Sequence, residues 1–183
     1  MSAPTSLPPY MGFILENASN FNITKEQKKD LMAIKSVIKP KAHSLKDGII
    51  EAETAMARYY QENKNREIIE ELSLKASDFR FKFATIKTEC RDQVLEVISK
   101  EQWIEITKSY ATKRGYKIDH SLENVCAIPN QNGDTMALQT AITTFEKEIQ
   151  EMSLNNIAIA EILYKVKEME EKRQELVVIK LKA

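Results

Sequence analysis

A helix-start signal occurs twice in this chain, and the sequence between the two copies is helical in character. The second copy lies 75 residues after the first. In each copy a Thr or Ser hydroxyl can accept a hydrogen bond from the backbone N–H three residues on, and the Gln at that position can reach back to the backbone N–H of the cap. This reciprocal pattern predicts helices that begin just after residues 24 and 99. The motif residues are Ile23, Thr24 and Gln27 in the first copy, and Ile98, Ser99 and Gln102 in the second.

The segment between the two motifs predicts two long helices joined by a tight turn. With only four Gly and five Pro in 183 residues, the composition favours long helices. We expect the first helix to kink or end at Pro40 and to resume from about residue 44 to 61. After a turn at 63–65, apolar residues at three- and four-residue spacing mark a further helix over 66–97. Before the first motif, Pro8 and Pro9 suit the first turn of a short helix packed as a lid on the core.

The last fifty residues predict one long C-terminal helix with a heptad seam. A polar connector over 115–134 separates this segment, 135–183, from a helical domain over 1–114. The seam would either join chains as a coiled coil, with Asn156 fixing register and oligomer state, or pack within the chain. The fold class predicted is therefore all-α, an elongated antiparallel hairpin or cradle with a C-terminal long helix. The seam residues are Leu138, Ile142, Phe145, Ile149, Met152, Asn156, Ile159, Leu163 and Val166.

Charge and motif content argue against several classes of function. Lys plus Arg and Asp plus Glu both number 27, so there is no net positive charge to attract nucleic acid. No apolar run is long enough for a membrane span. The chain has no Gly-rich phosphate loop, no His-Glu-x-x-His motif and no carboxylate pair in an apolar context, so we expect it not to be an enzyme.

The paired motifs resemble the Leu-Thr-x-x-Gln motifs of the Spy/CpxP family over roughly residues 7–114, with Ile for Leu twice and Ser for Thr once. Members of that family are small all-helical periplasmic proteins, typically cradle-shaped homodimers. Some are ATP-independent chaperones for unfolded proteins, some regulate envelope-stress kinases, and some bind or sense metals. The resemblance implies a periplasmic protein that binds unfolded or partner proteins, with an export signal removed before Met1.

Basic and apolar residues along the hairpin are the candidate client contacts. Lysines on the first long helix would attract clients at range, while exposed Met and Phe side chains would make adaptable contacts. A solvated lysine face, or a second packing surface at Phe81, would produce the same pattern. The candidates are Lys28, Met32, Lys35, Lys39, Lys46, Met56, Arg80, Phe81 and Lys82.

The same sequence leaves open a metal site and a disulfide. His43 and Cys90 lie at similar heights on a hairpin that turns near residue 64, so they could share copper or zinc with further ligands. His120 and Cys126 complete the set of His and Cys residues, and Cys126 could instead bridge to Cys90. No cofactor is required by the leading interpretation. A metal-binding or metal-sensing protein is one alternative function, and a structural coiled-coil scaffold subunit is another.

Overall fold

The computed structural model describes residues 7–62, 65–115 and 135–181, and its regular elements in these ranges are all helices. The predicted connector, with His120 and Cys126, lies outside the described residues except for Gly115, and so does the predicted bridge from Cys90. None of the described helices is long and apolar enough to span a membrane. The helices are α1 Tyr10–Glu16, α2 Lys25–Gln61, α3 Arg66–Val97, α4 Lys100–Arg114, α5 Thr135–Leu154 and α6 Ile159–Lys180.

The all-α helical hairpin is confirmed, with α2 and α3 packed along each other. Helix α2 has 37 residues, which corresponds to about 55 Å of helix. It continues through Pro40 instead of ending there. Proline removes the hydrogen bond that would reach the Ser36 carbonyl, but Ser36 and Pro40 are both exposed, so water can satisfy that carbonyl.

The two capping boxes are present and bind each other. Within each box, the Gln oxygen accepts from the backbone N–H of its own cap, Gln27 from Thr24 at 3.0 Å and Gln102 from Ser99 at 2.8 Å. The two side-chain amides then pair reciprocally, Nε2 of Gln27 with Oε1 of Gln102 at 2.9 Å and the converse at 3.1 Å. The starts of α2 and α4 are therefore joined by a symmetric amide pair.

The same amides also bind the backbone that leads into the opposite cap. Gln27 Nε2 donates to the carbonyl of Val97 at 3.1 Å, and Gln102 Nε2 donates to the carbonyl of Asn22 at 3.0 Å. Each carbonyl lies two residues before the other motif's cap. Because every amide atom has a partner, the pair can be half-buried without an unsatisfied group.

An aromatic core surrounds the paired motifs. Tyr10 and Ile14 of α1 are buried with Leu31 of α2, Val94 of α3 and Trp103 of α4. The Tyr10 and Trp103 rings lie 5.1 Å apart, a distance that suits a favourable tilted pair. The short first helix thus packs on the core, as the sequence predicts.

The C-terminal segment corrects the prediction of one long helix, because it contains two. Helix α5 ends at Asn155–Asn156, where Asn156 has a left-handed φ of 62°. The N–H of Ile157 returns to the carbonyl of Met152 at 3.0 Å, which is the hydrogen bond of a Schellman ending. Asn tolerates this conformation better than other non-glycine residues. Asn156 is therefore an exposed turn residue and not a buried register residue.

The predicted oligomerisation seam is also corrected, since its α5 half is buried within one chain. Ile142, Phe145 and Ile149 of α5 pack with a stripe on α6. That stripe consists of Ile162, Val166 and Met169. Because the turn breaks the heptad spacing, the predicted seam residues Ile159 and Leu163 are only half-buried. These side chains pack intramolecularly, which was the alternative the sequence left open.

Helix α6 docks the second hairpin on α3 through a buried polar cluster. The Arg80 guanidinium pairs with Glu170 at 3.0 Å and also with Glu53, and only 11% of its side chain is exposed. Ser77 donates to Glu170 at 2.7 Å. The prediction of Arg80 as a surface contact for clients is wrong in its premise, because Arg80 links α2, α3 and α6.

Replacing Gln27 or Gln102 with Ala should destabilise the protein by about 1–2 kcal/mol, because the capping box loses its return hydrogen bond and the partner amide is left half satisfied. The double replacement should cost about 1 kcal/mol less than the sum, since the two side chains bind each other. Urea unfolding of the wild type, Gln27→Ala, Gln102→Ala and the double variant measures this coupling. Gln93→Ala, on the exposed face of α3, is the matched control. Strict additivity of the two replacements would contradict the pairing.

Replacement with Ala should change the stability of the protein differently at two helical glycines. A Cβ on Gly48 would lie 2.8 Å from the Phe79 ring, whereas a Cβ on Gly12 meets nothing within 4 Å. Gly12→Ala should therefore stabilise the protein by about 0.5–1 kcal/mol through helix propensity. Gly48→Ala should give no such gain because of the contact with Phe79. The gain should appear when Phe79 is also replaced by Leu. Equal gains at the two sites would show that Gly48 is not needed for close packing of α2 and α3.

Candidate functional site

One face of α2 carries an open, basic groove, which we call the outer groove. Its volume is about 450 Å³, and Leu15 of α1 forms its other wall. The α2 residues recur at helical spacing and therefore share one face. They are Lys28, Met32, Lys35, Ser36, Lys39 and Pro40. Four of the predicted client contacts thus lie together, and none of the described residues that line the groove is acidic.

A second cavity, the inner pocket, continues from the outer groove and shares Lys35 and Lys39 with it. Its volume is about 320 Å³, and it lies between the start of α1, α2 and α3. The other residues that line it are Pro8, Pro9, Tyr10, Met11, Gly12, Ile38, Ala42, His43, Lys46, Phe83, Lys87 and Cys90. The predicted contact Lys46 therefore lies here, and within the described ranges this cavity too has no acidic lining residue.

Lys87 is the least expected group in the inner pocket. Its ammonium donates to the carbonyl of Leu7 and lies 5.6 Å from the centre of the Phe83 ring. Burial lowers the pKa of Lys87 from 10.5 to about 8, and the nearby Cys90 opposes this shift. The ammonium is therefore held in an apolar setting that favours its neutral form.

The two predicted metal ligands both line this pocket, and among the described residues no further His, Cys, Asp or Glu lines it. His43 is exposed, and Cys90 is half-buried and forms no disulfide within the described residues. Burial raises the pKa of the Cys90 thiol, with Lys87 acting in the opposite direction. Among the described residues no group of three or more His, Cys, Asp or Glu could hold a metal ion. A thiol kept protonated beside an ammonium is a poor start for a metal site.

The remaining predicted contacts line neither cavity. Met56 is half-buried, and Phe81 is 36% exposed on α3. Lys82 is exposed and pairs with Asp78 at 2.7 Å, one helical turn away. Arg80 belongs to the buried cluster described above. The Arg80–Lys82 segment therefore contributes one exposed ring and no free basic patch.

Lys87 and the start of α1 are the residues of the site that the sequence reasoning missed. A signal for Lys87 exists, because it lies four residues after Phe83 and three before Cys90 on the apolar stripe of α3. A charged residue in such a position is removed from water once α2 covers the stripe. No comparable signal marks residues 8–12 as a pocket wall, since their contact with α2 and α3 is tertiary.

Comparison of the chain with protein-family models, with curated proteins and with solved structures finds no match. The Spy/CpxP resemblance therefore depends on the two capping motifs and on the helical sequence between them.

Replacing Lys87 with Met should stabilise the protein by roughly 1 kcal/mol below about pH 8, because the desolvated ammonium is removed while the length of the side chain is nearly kept. In the wild type the folded state loses this proton near pH 8 and the unfolded state near 10.5, so stability rises with pH between these values. The advantage of Lys87→Met should therefore shrink as pH rises through this window. Urea unfolding at several pH values tests it, with both proteins carrying Cys90→Ala because Lys87 also shifts the pKa of the Cys90 thiol. A difference that does not change with pH would mean that Lys87 is solvated normally.

Proposed function

We propose that this chain binds unfolded or partner proteins without ATP, in the manner of the Spy/CpxP chaperones, and that the outer groove on α2 is the contact surface. The observation that carries the proposal is the convergence of Lys28, Met32, Lys35 and Lys39 on one open groove whose described lining contains no acidic residue. These residues were singled out from the sequence for client binding, and the fold brings them together.

The charge of the groove supports recognition of acidic segments at range. Lys28 and Lys39 are exposed and Lys35 is half-buried, so all three side chains are accessible to water. Like charges on one helix face attract anionic chains and speed their encounter. Such attraction is screened by salt within about 10 Å at 0.1 M ionic strength, so holding should weaken as salt is added.

The apolar part of the groove supports weak, adaptable contact. Met32 is 56% exposed, and Leu15 and Pro40 lie beside it. A flexible thioether side chain can pack against many different partners. Because lysines separate these apolar groups, the contact surface is small, and a folded client with little exposed apolar surface would be released.

The family resemblance extends the proposal to a periplasmic protein that is not an enzyme and that acts as a homodimer. The α5 half of the heptad seam is packed inside one chain, so a homodimer would use another surface. The scaffold alternative loses its main argument for the same reason. For the metal alternative, the described residues offer His43 and Cys90, which line one pocket, whereas His120 and Cys126 lie outside the described ranges.

Changing Lys28, Lys35 and Lys39 together to Ser should lower client holding by at least about threefold, because three cations of the groove are lost. The assay is suppression of aggregation of a chemically unfolded acidic protein by near-stoichiometric amounts of the chain, with chelator and without ATP. Light scattering gives the readout at low and at high salt.

The matched control is the triple variant Lys25→Ser, Lys29→Ser and Lys41→Ser, which removes the same charge from α2 outside both cavities. It should hold clients as the wild type does. Equal loss in both triple variants would mean that net charge and not the groove governs binding. Full activity in the groove variant would contradict the proposed surface.

A further inference from the structure

The inner pocket has the walls of a small-molecule site. Apolar groups from three separate elements face it, including Met11 at α1, Ile38 of α2 and Phe83 of α3. Its volume of about 320 Å³ lies within the range of ligand pockets. An unbranched hydrocarbon chain would replace water along these walls, which is favourable in proportion to the apolar area covered.

The charges of the pocket all have one sign. Lys35, Lys39, Lys46 and Lys87 line it with His43, and no Asp or Glu of the part of the chain that the structure describes does so. A pocket that combines such charge with apolar walls fits a ligand that has one anionic end and one apolar end. A purely hydrophilic anion would leave the walls unused, and a metal cation would be repelled by the lysines.

Lys87 also differs from the other cations that the fold withdraws from water. Arg80 pairs with Glu170 at 3.0 Å, Arg91 with Asp92 at 2.6 Å, and Lys165 with Glu148 at 3.3 Å. Lys87 instead meets the Leu7 carbonyl, the Phe83 ring and the Cys90 thiol. A carbonyl satisfies one of its three donors, so the ammonium can still bind an anion from outside the chain.

From these features we propose that the inner pocket binds a single-chain amphipathic carboxylate of the fatty-acid type. The carboxylate pairs with Lys87 and with the other lysines of the pocket, Lys35, Lys39 and Lys46. The alkyl chain lies against Met11, Ile38 and Phe83. This inference does not depend on protein holding by the outer groove, because Lys87 and Phe83 belong to the inner pocket alone.

Titration of the full chain with dodecanoate, below its micelle concentration and near pH 7, tests the proposal by calorimetry. Dodecan-1-ol has the same chain without the charge and should bind at least about tenfold more weakly, as expected for loss of a charge-assisted hydrogen bond. Lys87→Met should reduce dodecanoate affinity to that of the alcohol. Lys167→Met, at an exposed position on α6, should leave it unchanged. Circular dichroism shows whether each variant is folded.

The Cys90 thiol gives a second readout that does not depend on Lys87 variants. In a Cys126→Ser background, bound dodecanoate should slow alkylation of Cys90 by N-ethylmaleimide at least about fivefold, because the ligand covers the pocket that the thiol lines. Dodecanoate affinity equal to that of the alcohol would overturn the proposal. The absence of measurable binding would also overturn it. Binding that neither protects Cys90 nor responds to Lys87→Met would overturn it too, because the ligand would then lie elsewhere, for example in the outer groove. Loss of client holding in the Lys28, Lys35 and Lys39 variant has no bearing on these outcomes.

Discussion

The reciprocal amide pair of Gln27 and Gln102 is the constraint on which the arrangement of the first four helices depends. A capping glutamine normally serves only its own helix, but here each one also binds the other and the carbonyl before the other's cap. This joins the start of α2 to the junction of α3 and α4, so the two ends of the long hairpin cannot slide past each other. The aromatic core then assembles around a fixed point, with Tyr10 and Trp103 in contact.

With this end fixed, each face of the hairpin has a separate role. Helix α3 is covered on one side by α2 and on another by α6, and Arg80 connects all three helices by ion pairs. Helix α1 lies against α2, and residues of both helices line two neighbouring cavities. The lysines of α2 line both cavities, so the surface proposed for proteins and the pocket proposed for a small ligand are neighbours that share Lys35 and Lys39.

Two cations that are withdrawn from water, Arg91 and Lys87, differ in their partners and in the role that we assign to them. Arg91 pairs with Asp92 and donates to the Ile157 carbonyl at 2.9 Å, which ties the turn of the second hairpin to α3. Such fully partnered groups specify how the hairpins dock. Lys87 differs from Arg91, because burial lowers its pKa to about 8 and no carboxylate of the described residues lines its pocket. A charge that reduces stability in this way is more consistent with a ligand site than with a structural role.

The sequence by itself determined the local structure: both helix starts, the bounds of α3, and the helical spacing that places Lys28, Met32, Lys35 and Lys39 on one face. These features follow from hydrogen bonds and side-chain directions within a few residues. Only the tertiary structure decided that Gln27 meets Gln102, that Arg80 is buried and that Lys87 enters a pocket, because each depends on chain segments distant in sequence. The break at Asn156 was local too, but its Schellman signal competed with a heptad pattern that continued across it. Packing resolved that competition, since folding α6 back on α5 buries both stripes within one chain.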